Sequence, residues 1–330
     1  MKVLIVSNEC DRPNRVGNPI IGRLINALST NTDITKVSFC PFMNKLKDFY
    51  TIRENAKSFD LIHVQFGGFY ALLIWMCLIG LKMPKVLTFH GTDIHAKEIL
   101  TTKSFVTKAK IWLNQKSSFC SIFLFDKIGL VSSSLLAYIP KFVKNCNKHK
   151  LFLQPLGVDY TKFVPMGKAD ACKLLGIPNE KYILFSDKSG TVLKRRDIAE
   201  KIVVKLANGF KLLVMCGVKP DEVPIYINAC DFILLTSDEE GSPNITREAL
   251  SLNKRVFSVD VGDVKHQLYG LTNSSIISRN PEEAAKKIND MLAIDYIDNS
   301  RDKLRNQIDF ARIAKHLVEL YMSLSIKKNG

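Results

Sequence analysis

The sequence predicts an α/β chain of two doubly wound, parallel-sheet domains. Three observations predict it. Short apolar runs alternate with helix-like stretches, the alternation restarts near residue 150, and 330 residues of 46% hydrophobic content suffice for two packed cores. The opening run KVLIV at 2–6 stops at Asn8, Glu9 and Asp11; it reads as a buried parallel strand, too short for a signal peptide. A helix at 20–29 leads to a strand at 34–39, and strands follow at 61–64, 85–89 and 127–131. The apolar run FYALLIWMCLIGL at 69–81 falls short of the roughly twenty residues that span a bilayer, and is expected as a buried core helix. Lysine-rich 141–150 closes the first half. Strands at 151–154, 182–185, 210–215, 232–235 and 255–258 make the second. Residues 302–325 predict one closing helix, with Ile308, Ala311, Ile313, Ala314, Leu317 and Leu320 on its apolar side. The expected domains are 1–150 and 151–305, with 306–330 as the closing segment. Two such domains facing one another would enclose a cleft, and ligands bind at the carboxyl ends of parallel strands.

Composition excludes several classes. The eight cysteines are scattered, with no C-x-x-C pair, which argues against a zinc site and a disulfide framework and for a reducing, cytoplasmic compartment. The net charge of +15 is uneven: residues 1–150 carry 21 Lys and Arg against 9 acids, the remainder 26 against 23. Within 101–150, nine lysines face one acid, Asp126. A basic sector of this kind faces a polyanion. At helical spacing in 101–116, Phe105, Val106, Ala109, Trp112 and Leu113 share a face, with Lys103 and Lys110 opposite. That is the pattern of a membrane-surface helix, or of a core-packed helix with a solvated lysine face. The surrounding lysine excess favours an anionic membrane surface. Nucleic acid is not expected, because the basic segment has no interleaved aromatics beyond Phe105 and Trp112.

The segment DEEGSPNITREAL at 238–250 follows a strand. Ser242 is a natural N-cap and Pro243 a natural first helical residue, so the helix start offers free amides to an anion such as a diphosphate. Glu240 falls on the entry loop and Glu248 one to two turns into the helix. The two carboxylates would grip a sugar nucleotide from both sides, or they belong to an acidic loop before an ordinary capped helix. Lys188, Lys194, Arg195 and Arg196 cluster in FSDKSGTVLKRRDIAEKI. The sequence contains no Asp-x-Asp motif. Charge growing on a leaving diphosphate would therefore fall to preorganised cations and a helix N-terminus, and no metal or other cofactor is expected. In the first half, LIHVQ at 61–65 and VLTFHGTD at 86–93 end strands. His90, followed by Gly91, is a candidate for a sugar hydroxyl or the acceptor, with His63 the weaker candidate. Gly17, in NRVGN at 14–18, would let backbone approach a phosphate. The absence of G-x-G-x-x-G lowers a dinucleotide dehydrogenase reading.

The stretch INACDFILLTSDEEGSPNITREALSLNKRVFSVDVGDV resembles the signature of retaining glycosyltransferases of family 4 (glycosyl transferases group 1), which have the GT-B fold. That pattern is a Glu-Gly-x-Pro loop, Glu-Ala eight residues after the first Glu, a small-residue helix end, a strand and a Gly-containing turn, here Val261-Gly262-Asp263. LGVDYTKFVP at 156–165 is similar to the family's segment opening the second domain, and 310–321 to its closing helix, which returns to the first domain. The resemblance implies that Glu240 contacts the donor sugar and Glu248 the ribose. It brings the turn Gly241, Ser242, Pro243, Asn244 and Ile245 to the sugar and phosphates. Lys194 matches the family's diphosphate-neutralising Lys. The accompanying Arg position holds Ser189, so Lys188 or Arg195 stands in for it. His90-Gly91-Thr92-Asp93 resembles the loop whose His lies near the donor sugar, and the loop containing Gly17 resembles the family's glycine loop. The expectation is a hexosyltransferase that moves a sugar from a nucleotide diphosphate sugar to a glycan or lipid-linked glycan, with retention, in surface polysaccharide biosynthesis. It would be cytoplasmic and peripheral at the inner face of the plasma membrane. The alternatives are a sugar-nucleotide epimerase or hydrolase of the same fold, and a non-catalytic nucleotide-sugar-binding protein.

Overall fold

The structure is a computed structural model that describes residues 1–8, 19–42, 46–95, 104–187, 192–294 and 299–329. The chain divides into two compact units, Met1–Leu156 with Phe310–Gly330, and Gly157–Asp309.

The first unit carries strands β1 (Lys2–Ser7), β2 (Lys36–Pro41), β3 (Leu61–Gln65), β4 (Lys85–Phe89), β5 (Lys127–Leu130) and β6 (Leu151–Leu153). They form one parallel sheet in the order β2-β1-β3-β4-β5-β6. Its helices are α1 (Pro19–Ser29), α2 (Leu46–Ala56), α3 (Phe69–Cys77), α4 (Phe105–Leu124) and α5 (Lys141–Asn147). Strand alternation splits the core into two faces. Leu4, Val6, Ile62, Val64, Leu87 and Phe89 pack with α2 to α4, and Val3, Ile5, Leu61 and Val86 pack with α1 and the C-terminal helix.

The second unit carries α6 (Lys168–Leu175), β7 (Tyr182–Ser186), α7 (Arg196–Lys205), β8 (Lys211–Met215), α8 (Val223–Ala229), β9 (Phe232–Leu235), α9 (Asn244–Ser251), β10 (Arg255–Ser258), α10 (Val264–Gln267), β11 (Ser275–Ile276), α11 (Pro281–Leu292) and α12 (Ser300–Ile308). Its parallel sheet runs β11-β10-β9-β7-β8. The strand order reverses between β7 and β9, which makes the carboxyl ends of those two strands the switch point where such sheets bind ligands. In the first sheet the same reversal falls between β1 and β3.

Three expectations are corrected. The strand expected at 151–154 as the start of the second half extends the first sheet instead, with Ile128 opposite Leu151. The single closing helix is two, α12 and α13 (Phe310–Asn329), broken at Asp309. There the Ile308 carbonyl accepts the Val158 N–H at 2.7 Å rather than continuing a helical ladder, and the chain passes back to the first unit. Phe310, Ala314, Leu317, Val318 and Tyr321 then pack against α1 and the sheet. Finally, α3 is only partly a core helix: Tyr70, Ala71 and Ile74 are buried while Phe69 and Met76 are exposed. No described helix is long and apolar enough to cross a membrane.

Candidate functional site

At the switch point of the second sheet, the loops after β7 and β9 are stitched together. Asp238 N–H donates to Leu193 O at 2.8 Å, and Thr236 Oγ1 donates to the carbonyls of Lys194 and Arg195 at 3.0 and 2.9 Å. These bonds bring Lys194 to Glu240. Lys194 Nζ donates to Glu240 Oε1 at 2.6 Å, and Ser237 Oγ donates to the same oxygen at 2.8 Å. The two side chains are 23% and 15% exposed, so the pair is reachable yet shielded enough for its charges to matter.

Arg195 takes left-handed backbone, with φ 53°. Its guanidinium binds Asp197 at 2.9 and 3.0 Å and reaches Asp238 at 3.4 Å. Arg196 pairs with Glu200 at 2.8 Å. Lys188 and Gly17, like Ser189, lie outside the described residues.

The helix start differs by one residue from expectation. Pro243 is the N-cap of α9 and Asn244 its first residue, so Ser242 is free for another task. Its hydroxyl donates to Asp263 Oδ2 at 2.8 Å. Arg247 Nη2 donates to Ser242 Oγ and to Asp263 Oδ2, the latter at 2.8 Å, while Gln267 Nε2 donates to Asp263 Oδ1 at 2.6 Å. Arg247 and Asp263 are both buried. Burial lowers the Arg247 pKa and the Asp263 carboxylate opposes that. This buried pair clamps α9 to the turn after β10. The clamp has a backbone counterpart at Gly262, whose φ of +59° favours glycine and where a Cβ would stand 2.9 Å from Gly241 O and 3.0 Å from Glu240 O. Glu248 is buried one turn into α9, and Ile245 is buried beside it. Pro243 offers no side-chain acceptor to the first amides of α9, and amides left open in this way at a helix start are suited to an anion.

Arg279 completes the frame. It donates to Asp238 Oδ1 at 2.7 Å and to the carbonyls of Thr236 and Ser237 at 3.2 and 2.9 Å, fixing the loop that carries Glu240. Sequence reasoning missed Arg247 and Arg279 as site supports. The only local signal was an Arg just before Glu248, on a helix turn that had to be buried.

In the first unit, His90 follows β4. Its ring stacks on Phe66 at 4.0 Å with 24° between planes, and its Nε2 lies 3.0 Å from Gln65 Oε1. The HGTD loop is held by Asp93, whose carboxylate accepts from the backbone N–H groups of Gly67, His90 and Gly91 at 2.7, 3.1 and 2.8 Å. Burial raises the Asp93 carboxyl against these donors. It also pushes His90 and His63 down to about 3, so both rings are neutral near pH 7. His63 is fully buried and touches no open surface.

The first turns of α4 also depart from a core helix. Phe105, Val106, Trp112 and Leu113 are exposed, Phe105 by 83% and Trp112 by 53%, alongside Lys108, Lys110 and Lys116. Lys103 lies outside the described residues. The second half of α4 is packed through Ser117, Ser118, Phe119, Ser121 and Ile122. Among the described residues, no three His, Cys, Asp or Glu side chains come together as metal ligands.

No family model and no curated protein matches the sequence. Solved structures do. Sucrose-phosphate synthase from Thermosynechococcus elongatus aligns over 98% of both chains with a TM-score of 0.74 and 15% identity. Anabaena HepE in complex with UDP-glucose aligns over 98% of this chain and 100% of its own, with a TM-score of 0.72 and 13% identity. A glycosyltransferase from Rickettsia africae aligns over 98% of both chains, with a TM-score of 0.68 and 15% identity. These neighbours are GT-B glycosyltransferases, and across nearly its whole length this chain has the GT-B fold.

Proposed function

We propose that the chain is a retaining glycosyltransferase that moves a hexose-type sugar from a nucleotide diphosphate sugar to a glycan or lipid-linked glycan. The observation that carries this reading is the Lys194–Glu240 pair at 2.6 Å, set at the switch point of the second sheet beside the start of α9. In the proposed reaction the bond from the anomeric carbon to the diphosphate breaks, and the α9 amides and Lys194 take up the charge left on the phosphate. Glu240 keeps the Lys194 ammonium in place before the donor arrives and then meets sugar hydroxyls. Glu248 holds the ribose. His90, kept neutral, hydrogen-bonds a sugar hydroxyl. The leaving phosphate accepts the acceptor's proton on the face it departs from, which preserves configuration. The UDP-glucose held by HepE supports a nucleotide sugar as donor.

The test is nucleoside diphosphate release from UDP- and GDP-sugars with and without acceptor glycan. Release that depends on acceptor fits a transferase. Equal release without acceptor, or epimerised sugar, assigns the same site to a hydrolase or epimerase.

The exposed apolar and lysine residues of α4 support docking on anionic lipid, as would suit polysaccharide assembly at the inner face of the plasma membrane. Each lysine near such a surface adds about 1 kcal/mol, an attraction that salt weakens. Vesicles containing phosphatidylserine should shift Trp112 fluorescence to the blue, and Lys108, Lys110 and Lys116 changed to Gln should abolish that shift. Equal binding to neutral vesicles at all salt concentrations would remove the membrane from this reading.

A further inference from the structure

Alternation along the strands puts His63 and Gln65 of β3, Thr88 of β4 and then His90 on one face of the first sheet, the face covered by α1 and α13. There the polar side chains join into one network. Tyr321 OH, fully buried on α13, lies 2.5 Å from His63 Nδ1. His63 Nε2 lies 2.7 Å from Thr88 Oγ1 and 2.9 Å from Gln65 Nε2. Thr88 Oγ1, with a single proton to give either to His63 Nε2 or onward, also lies 2.6 Å from Gln154 Oε1. Gln65 Oε1 lies 3.0 Å from His90 Nε2. Thr88 and Gln154 meet across β5 because Gly129 stands between them: a Cβ there would fall 2.5 Å from Thr88 Oγ1 and 3.0 Å from Gln154 Oε1.

A carboxamide has one donating and one accepting end, and a neutral imidazole has one N–H and one lone pair. Gln65 touches one ring with each end. Where its nitrogen donates to His63 Nε2, that ring holds its proton on Nδ1, and the Gln65 oxygen accepts from His90 Nε2–H. Turned over, the carboxamide reverses both rings together. In either case the tautomers are opposite.

We propose that Gln65 locks His63 and His90 into opposite tautomers, and that Tyr321 and Thr88, by engaging the two nitrogens of His63, decide which one His90 adopts. His63, Gln65, Thr88 and Tyr321 are positioning residues. They hold His90 Nδ1, which has no hydrogen-bond partner among the described residues, in a single protonation state for a ligand. The C-terminal helix thereby contributes to the chemistry of a loop at the end of β4. The importance of this for catalysis rests on the sugar-contacting role proposed for His90, whereas the tautomer lock itself does not.

Side-chain 15N NMR of histidine-labelled protein at neutral pH tests it, with the two rings assigned by His63→Asn and His90→Asn. Wild type should show one Nδ1–H and one Nε2–H ring. Tyr321→Phe and Gly129→Ala, which cut the network at two separate places, should turn the His90 signals into a mixture. Gln65→Glu places an acceptor at both ends and should move both rings to Nε2–H. The same tautomer in both wild-type rings, or unchanged His90 signals in Gln65→Glu, would overturn the proposal. Because these spectra do not depend on turnover, an inactive protein with opposite tautomers would refute the transferase reading and leave the lock standing.

Discussion

The strand ends of the two units differ in their electrostatics. In Gly157–Asp309, Lys194, Glu240, Arg247, Asp263, Arg279 and Asp238 fix the loops by charge. In the first unit, the Asp93 carboxylate holds the loop backbone, while the side chains of His90, His63, Gln65 and Thr88 are joined by neutral hydrogen bonds in a desolvated setting. Fixed charge suits a diphosphate, whose charge grows as it leaves. Neutral donors and acceptors suit hydroxyls, which an added charge would not orient. Under the proposed function, one fold pattern would serve two kinds of ligand group through the residues at its strand ends.

The largest effect that sharpens this contrast is expected at Arg247. Arg247→Met leaves the Asp263 carboxylate buried and unmatched and should cost about 3–5 kcal/mol in urea unfolding of the chain. Adding Asp263→Leu should restore much of that loss. A single variant within about 1 kcal/mol of wild type would show that charge does not hold the α9 start. Next comes Lys194→Ala, which should slow transfer about a hundredfold or more while the unfolding midpoint stays put, since one preorganised charge stabiliser has that scale. Wild-type turnover would take Lys194 out of the mechanism. EDTA should leave the rate unchanged.

A smaller effect concerns pH. Burial pushes His63 and His90 down to about 3, against roughly 6.5 for an unfolded histidine. Between those values the unfolded chain binds protons that the folded chain refuses. The stability contributed by these rings is therefore fully present above about pH 6.5 and falls as pH drops below it, by roughly 1 kcal/mol per pH unit for each ring. His63→Asn should roughly halve the slope, since His90 remains. A wild-type profile that is flat from pH 6.5 to 5 would mean that the rings are not held neutral.

Much of the charged site was legible because it is local. DEEGSPNITREAL carries its loop, helix start and both glutamates in thirteen consecutive residues, directly after an apolar strand. What supports it was not legible. Arg247 and Asp263 are 16 residues apart and Arg279 and Asp238 are 41 apart, and each looks like an ordinary surface charge until tertiary packing brings its partner. The neutral network was further from view, since His63 and Tyr321 are separated by 258 residues. A three-residue strand such as β6 looks the same to either sheet. The break at Asp309 has no Pro or Gly to announce it; a bond from Val158 makes it. The shift of the helix start by one residue at Ser242 has the same kind of cause, because Asp263 and Arg247 claim the hydroxyl that local sequence assigns to capping.

The central claim is that the charged switch point is built for a nucleoside diphosphate. Thermal unfolding with UDP, GDP and ADP, in the presence of EDTA, measures this most directly, because a ligand at 100 times its Kd stabilises the folded chain by roughly 2.7 kcal/mol. At least one of the three should raise the Tm of wild type. The shift should shrink in Glu248→Gln, which alters the proposed ribose partner, and persist in Glu240→Gln, which alters the residue proposed to face the sugar. No shift with any of the three, or equal shifts in wild type and both variants, would contradict the account.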